Sequence, residues 1–138
     1  MDEQNRIEIQ EAIEAADNAI LHLESAREYL GSAGRWGLLD LFGGELISGI
    51  VKHSKMSDAE QEVENARYAL QRFSKELRDV SGYSSIHIDE FLTFADLVFD
   101  GFLTDFLVQS KISKAKEQCD EAIERVTVIR RELEAKLY

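Results

Sequence analysis

Two stretches of this chain keep an unbroken seven-residue apolar rhythm, and they keep it in the same register. One runs Met56, Ala59, Val63, Ala66, Leu70, Phe73, Leu77, Val80; the other runs Ile112, Ala115, Cys119, Ala122, Val126, Ile129, Leu133 and ends on Lys136. Steps of three and four alternate, which places the apolar residues on one stripe of a helix. Single helices of this length are marginal in water, so each stripe demands a covering partner. A third arm, residues 3–31, carries Ile9, Ile13, Ala16, Ile20, Leu23, Ala26 and Leu30 at the same kind of spacing. The chain has no proline to interrupt any of them. The expectation is an all-α fold: an elongated antiparallel helical bundle with coiled-coil-like arms and an apolar, aromatic-rich head.

The head is expected from two segments that align without a gap, residues 40–59 and 96–115. Asp40 falls on Asp96, Ser48 on Thr104, and Ser54-Lys55-Met56-Ser57 on Ser110-Lys111-Ile112-Ser113. The whole of 1–138 reads as one helical domain containing this internal pseudo-repeat. Gly31-Ser-Ala-Gly34 reads as a helix stop, and residues 35–44 as an apolar connection in which Trp36, Leu38, Leu39, Leu41 and Phe42 plug the helix ends. A helix resumes near Glu45. Ser57-Asp-Ala-Glu60 has the form of a capping box, yet nothing between 50 and 57 forbids one continuous helix from 45 to 80, and continuity is the preferred reading. Residues 81–87 read as a turn, with a third helical region beginning near Ile88.

Charge narrows the function. A net charge of −11 opposes nucleic acid, which needs a basic face, and docking on anionic lipid. Residues 1–35 carry 8 acids and 3 bases, whereas 110–138 carry 6 acids and 7 bases, so the two arms can attract one another within or between chains. One cysteine excludes an internal disulfide, no stretch reaches spanning length without charge, and the N-terminus lacks the order of a signal peptide. The expected setting is cytoplasmic.

The head holds the residues with chemical potential. On a helical wheel Asp89, Thr93, Asp96, Asp100 and Thr104 share a narrow stripe, while Phe91, Phe94, Ala95, Phe99 and Phe102 occupy the rest; Asp105 projects opposite Asp96. Lys52 and His53, with Glu45 and Ser48 on the first segment, could neutralise Asp100 or Asp105. The candidate polar network or ligand site is therefore Asp40, Lys52, His53, Asp96, Asp100 and Asp105. Its plain reading is a buried network that fixes helix register. Its functional reading is a site for a small ligand or a metal such as magnesium, manganese or zinc. The Glu-x-x-His motif of di-metal carboxylate bundles does not occur, and no cofactor is expected. Cys119 sits on a heptad core position and reads as a small apolar residue. His22, between Leu21 and Leu23, reads as a boundary residue.

The motifs Trp36-Gly37-x-x-Asp40-x-x-Gly43-Gly44, Lys52-His53-Ser54, Phe94-Ala-Asp96-x-x-x-Asp100-Gly and Asp105-x-x-x-Gln109-Ser-Lys-Ile112 resemble a family of small bacterial all-helical proteins. The resemblance implies a bacterial source and a helical fold, transfers no catalytic residue, and points to the head as the seat of any shared role. The leading functional expectation is a non-enzymatic interaction or scaffold module. It would associate with itself or another helical protein through Trp36, Phe42, Leu70 and Val126. The alternatives are a ligand- or metal-binding protein using the acidic stripe, and a peripheral membrane protein whose head carboxylates would make insertion costly.

Overall fold

The computed structural model describes the backbone of residues 3–41, 45–80, 86–97 and 109–137, and within them the side chains of 3–31, 58, 61–80, 89–96 and 113–137. Four helices occupy these stretches: α1 (Glu3–Leu41), α2 (Glu45–Asp79), α3 (Ile86–Leu97) and α4 (Gln109–Leu137). At 39 residues α1 is about 58 Å long at 1.5 Å per residue. Among the described residues α1 packs along α2 and α4, and α3 packs on α2 and α4. The pairs within the bundle are therefore neighbours in chain order, with α4 closing on α1, the arrangement of an up-down helical bundle.

Side-chain pairs fix the directions. Along α1, Asp17, Arg27 and Gly31 meet Arg130, Asp120 and Lys116 of α4 in turn, so α4 descends as α1 rises. His22 of α1 faces Glu62 of α2, while Asn18, one turn earlier, shares a groove with Asn65, Tyr68 and Arg72. The α3 helix is held by Phe91, whose ring meets Phe73 of α2 edge-on at 5.2 Å, and by Phe94, which lies under Arg125 of α4 at 5.0 Å.

The core is built from the three expected stripes. Val63, Ala66, Leu70, Phe73 and Leu77 of α2 and Val80 just past its end are buried, as are Ala115, Cys119, Ala122, Val126, Ile129 and Leu133 of α4. On α1 the centre of the stripe differs from the sequence reading. Ala12, Ala15, Ala16 and Ala19 are buried, whereas Ile13 and Ile20 pack at its margin. Small side chains at the centre let two neighbouring helices approach α1, and the bulk that fills the interior comes from Leu70, Phe73 and Leu77 on one side and Val126, Ile129 and Leu133 on the other. Ser74 is the one buried polar residue among those described, and its hydroxyl donates to the Leu70 carbonyl at 2.9 Å, so its burial is compensated.

Three expectations change. First, α1 does not stop at Gly31: residues 35–41, read as a connection, are its last turns. Gly31 sits inside the helix beside Lys116, where packing on α4 offsets its weak helix propensity. Second, α3 begins at Ile86, inside the stretch read as a turn, because its apolar residues find a docking site on Phe73. Third, Leu70 and Val126 are each 0% exposed inside this chain's own core, so the arm faces expected to recruit a second chain are already covered. The preferred continuity of α2 through Ser54 and Ser57 matches the observed helix, and Ser110 lies within α4.

Leu70→Ala is expected to cost about 2–5 kcal/mol in urea unfolding, against under about 0.5 kcal/mol for the exposed Tyr68→Ala. A cost at Leu70 no larger than at Tyr68 would refute the internal stripe. Among the described residues a methyl group added at Gly31 would meet only the flexible end of Lys116, at 3.8 Å, so Gly31→Ala is expected to stabilise the chain by about 0.5–1 kcal/mol. A loss of stability would show that α1 is not a continuous helix there.

Candidate functional site

Of the six candidate site residues Asp40, Lys52, His53, Asp96, Asp100 and Asp105, Asp96 is the one whose side chain is described. It is exposed on α3, on the same side as Asp89 and Thr93, opposite the buried Phe91, Phe94 and Ala95. The acidic stripe is real over this length and faces solvent, and the Thr93 hydroxyl donates to the Asp89 carbonyl rather than to a neighbouring helix. Trp36 and Asp40 lie on the last turns of α1, and Lys52 and His53 lie in the first half of α2; their side chains are outside the described residues. Phe42, Asp100 and Asp105 lie outside them altogether.

Two surface hollows are lined by described residues. The first, about 250 Å³, lies between α3 and α4 and is bordered by Glu90, Glu121, Glu124, Arg125 and Val128. Arg125 is committed there: it donates to Glu121 Oε1 through Nε at 3.1 Å and Nη2 at 2.9 Å while covering the Phe94 ring. It pins α3 to α4 and leaves an acidic rim. Among the described residues no group of three or more His, Cys, Asp or Glu side chains is placed to hold a metal ion.

The second hollow, about 340 Å³, runs between α1 and α2. Asn18 and His22 line it from α1; Asn65, Tyr68, Ala69 and Arg72 line it from α2. Helical spacing builds it: residues 18 and 22 stack on one side of α1, and 65, 68, 69 and 72 occupy the facing side of α2. The buried Ala69 is too short to fill the space between the helices and forms the floor. Glu62 borders the hollow, accepting from Asn65 Nδ2 at 3.4 Å and lying 3.8 Å from His22 Nδ1, while Asn65 Oδ1 accepts from Gln61 at 3.1 Å. Asn18 and Arg72 make no hydrogen bond or ion pair among the described residues. Tyr68 is 60% exposed, and Leu21, next to His22 in the chain, is 62% exposed. The sequence reading treated His22 as a boundary residue, and it is one. The hollow was missed because its residues look like ordinary polar positions on two separate helices, and only the α1–α2 register brings them together.

Three buried polar atoms, Glu8 Oε2, Arg67 Nε and Gln118 Oε1, have no hydrogen-bond partner among the described residues. They belong to different helices at different heights and form no common site. Among the described residues no helix is long and apolar enough to cross a membrane. Comparison of the chain with protein-family models, curated proteins and solved structures finds no match. The family resemblance of the head motifs therefore rests on those residues alone.

Cys119 is buried in the core, and burial, reinforced by the neighbouring Asp120 carboxylate, pushes its thiol up from 9.0 to about 12. A thiol so placed is expected to resist a disulfide reagent in the native chain and to react on unfolding. Its raised folded pKa stabilises the native state fully below pH 9. That contribution is lost between about 9 and 12, as the unfolded thiol ionises and the folded one does not. Relative to Cys119→Ala, the stability of the wild type is expected to fall by up to about 1.4 kcal/mol per pH unit across that window. Parallel curves for the two proteins would refute the burial of the thiol.

Proposed function

We propose that this chain is a non-enzymatic helical interaction module that works in the cytoplasm and docks another helical protein on the outer face of its α1–α2 pair. One observation supports the reading. The heptad stripes, which would otherwise offer apolar surface, are consumed inside the bundle wherever their side chains are described, and Tyr68, one of the three exposed large apolar side chains among the described residues, lines the α1–α2 hollow. An exposed tyrosine and an arginine around a concave polar patch have the composition of an energetic centre in protein–protein recognition more than of a catalytic pocket. The other two, Ile7 and Leu21, lie on α1 outside the lining of the hollow.

A photo-reactive amino acid placed at residue 68 in living cells is expected to yield a discrete protein adduct, and the same group at the exposed Arg131 on α4 is not. Equal labelling at both positions would remove the support for a specific face. Native mass spectrometry on protein purified without added metal is expected to show no small bound mass. A monomer that carries a stoichiometric metal or metabolite would replace the interaction reading with a ligand-binding one.

A further inference from the structure

Opposite its buried stripe, α1 carries a second line of residues in the same rhythm. Glu3, Ile7, Glu14, Leu21, Glu24 and Glu28 follow one another by steps of three, four or seven, and on a helix they fall within roughly 100° of arc on the side away from the core. Each of these side chains is exposed. Ile7 and Leu21, 40% and 62% exposed, are the large apolar side chains that α1 leaves outside the bundle among the described residues. They stand two heptads apart, so they hold the same position on the outward line, about 21 Å from each other, with Glu14 midway.

The acids of this line have no counter-charge. Elsewhere a surface carboxylate meets an arginine of its own helix: Glu64 lies 3.2 Å from Arg67, Glu121 2.9 Å from Arg125 and Glu134 2.9 Å from Arg130. Glu3, Glu14, Glu24 and Glu28 make no ion pair or hydrogen bond among the described residues. Arg27 of α1 is turned to Asp120 on α4, and Asp17, at the edge of the line, is held by Arg130. Arg6, near the N-terminal end, is the base that remains beside the line among the described residues. A second copy of α1 is a poor occupant. Laid antiparallel so that Ile7 meets Leu21 at both ends, it sets Glu14 against Glu14; laid parallel, it sets every acid against itself.

We infer that the outward face of α1 is a docking surface for a partner's basic amphipathic helix, which lies along it. The partner places apolar side chains two heptads apart on Ile7 and Leu21. It places lysine or arginine on Glu14 between them and on Glu24 and Glu28 beyond. The apolar contacts hold the helix, and the charges select it and fix its register. This surface lies on α1 alone, outside the residues that line the α1–α2 hollow, and does not depend on what the hollow takes.

The test is a two-dimensional amide NMR titration of the full chain with a capped, helical alanine–lysine peptide. The peptide carries leucine at two positions two heptads apart and lysine on the same face between and beyond them. It is expected to shift resonances of residues 7, 14, 21, 24 and 28. Replacing its leucines by alanine, or using the Leu21→Ser protein, is expected to weaken binding about tenfold. Glu14→Lys is expected to cost about as much, whereas Glu117→Lys, the same change of charge on an exposed position of α4, is expected to cost less than about threefold. Leu21, Glu14 and Glu117 are all exposed, so the three variants should melt with the wild type, which separates lost docking from lost fold. Equal weakening by Glu14→Lys and Glu117→Lys would reduce the binding to the overall negative charge and overturn the inference. Undiminished binding to Leu21→Ser would overturn it as well, and so would shifts centred on residues 65, 68 and 72 in place of α1.

Discussion

The approach of two helices to α1 is the constraint on which the rest of the described structure depends. Ala12, Ala15, Ala16 and Ala19 leave no bulk at the centre of the α1 stripe, so α2 and α4 can both pack along it. That approach obliges the larger side chains of α2 and α4 to supply the volume of the core, and it leaves a seam between them on the side away from α1. The α3 helix occupies that seam with Phe91, Phe94 and Ala95. The same closeness opens the hollow on the outer surface, because Ala69 lies buried where the walls of α1 and α2 meet. Interior packing and exterior shape are thus two results of where the small residues fall.

Much of this was legible in the sequence. Every apolar heptad position of the two arms whose side chain is described is buried, because three-and-four spacing of apolar residues has few other physical uses; Ala69 and Ser74 are buried beside the α2 stripe, and Lys136, the last position of the α4 reading, is exposed. The acidic stripe of α3 was legible for the same reason. The α1 stripe was read slightly off-centre, since a count of large apolar residues favours Ile13 and Ile20 over Ala12 and Ala19, and what decides burial is proximity to two partners instead of one. The end of α1 was misread because glycine weakens a helix locally, while tertiary packing on α4 carries it past Gly31. The α1–α2 hollow was not legible at all. Its members are separated by more than forty residues, and no pattern within either helix marks them.

The charge of the arms was read as able to draw them together, with solvated helix faces as the plainer reading; ion pairs do link α1 and α4 within the chain, although the polarity is not the simple acidic-to-basic one that composition implies. Arg27 of α1 pairs with Asp120 of α4, while Arg130 of α4 donates to Asp17 of α1 at 2.5 Å and to Glu134 at 2.9 Å, contacts that hold its guanidinium above the usual arginine range. These side chains are about a third to a half exposed, and each pair adds at most about 1 kcal/mol.

Their importance lies in what they forbid. To these two pairs each helix contributes one aspartate and one arginine, ten residues apart, and the order is aspartate first on α1 and aspartate first on α4. Run in opposite senses, the helices match each of these four charges with its opposite. Were α4 to lie along the same face in the reverse sense, Asp120 would confront Asp17 and Arg130 would confront Arg27, two repulsions in place of two attractions. Apolar stripes of such regular spacing are nearly blind to direction, since a heptad reads much the same from either end. Two weak surface pairs therefore supply what the strong core lacks: a polarity, by which the folding chain can tell the correct topology from its mirror in sequence direction.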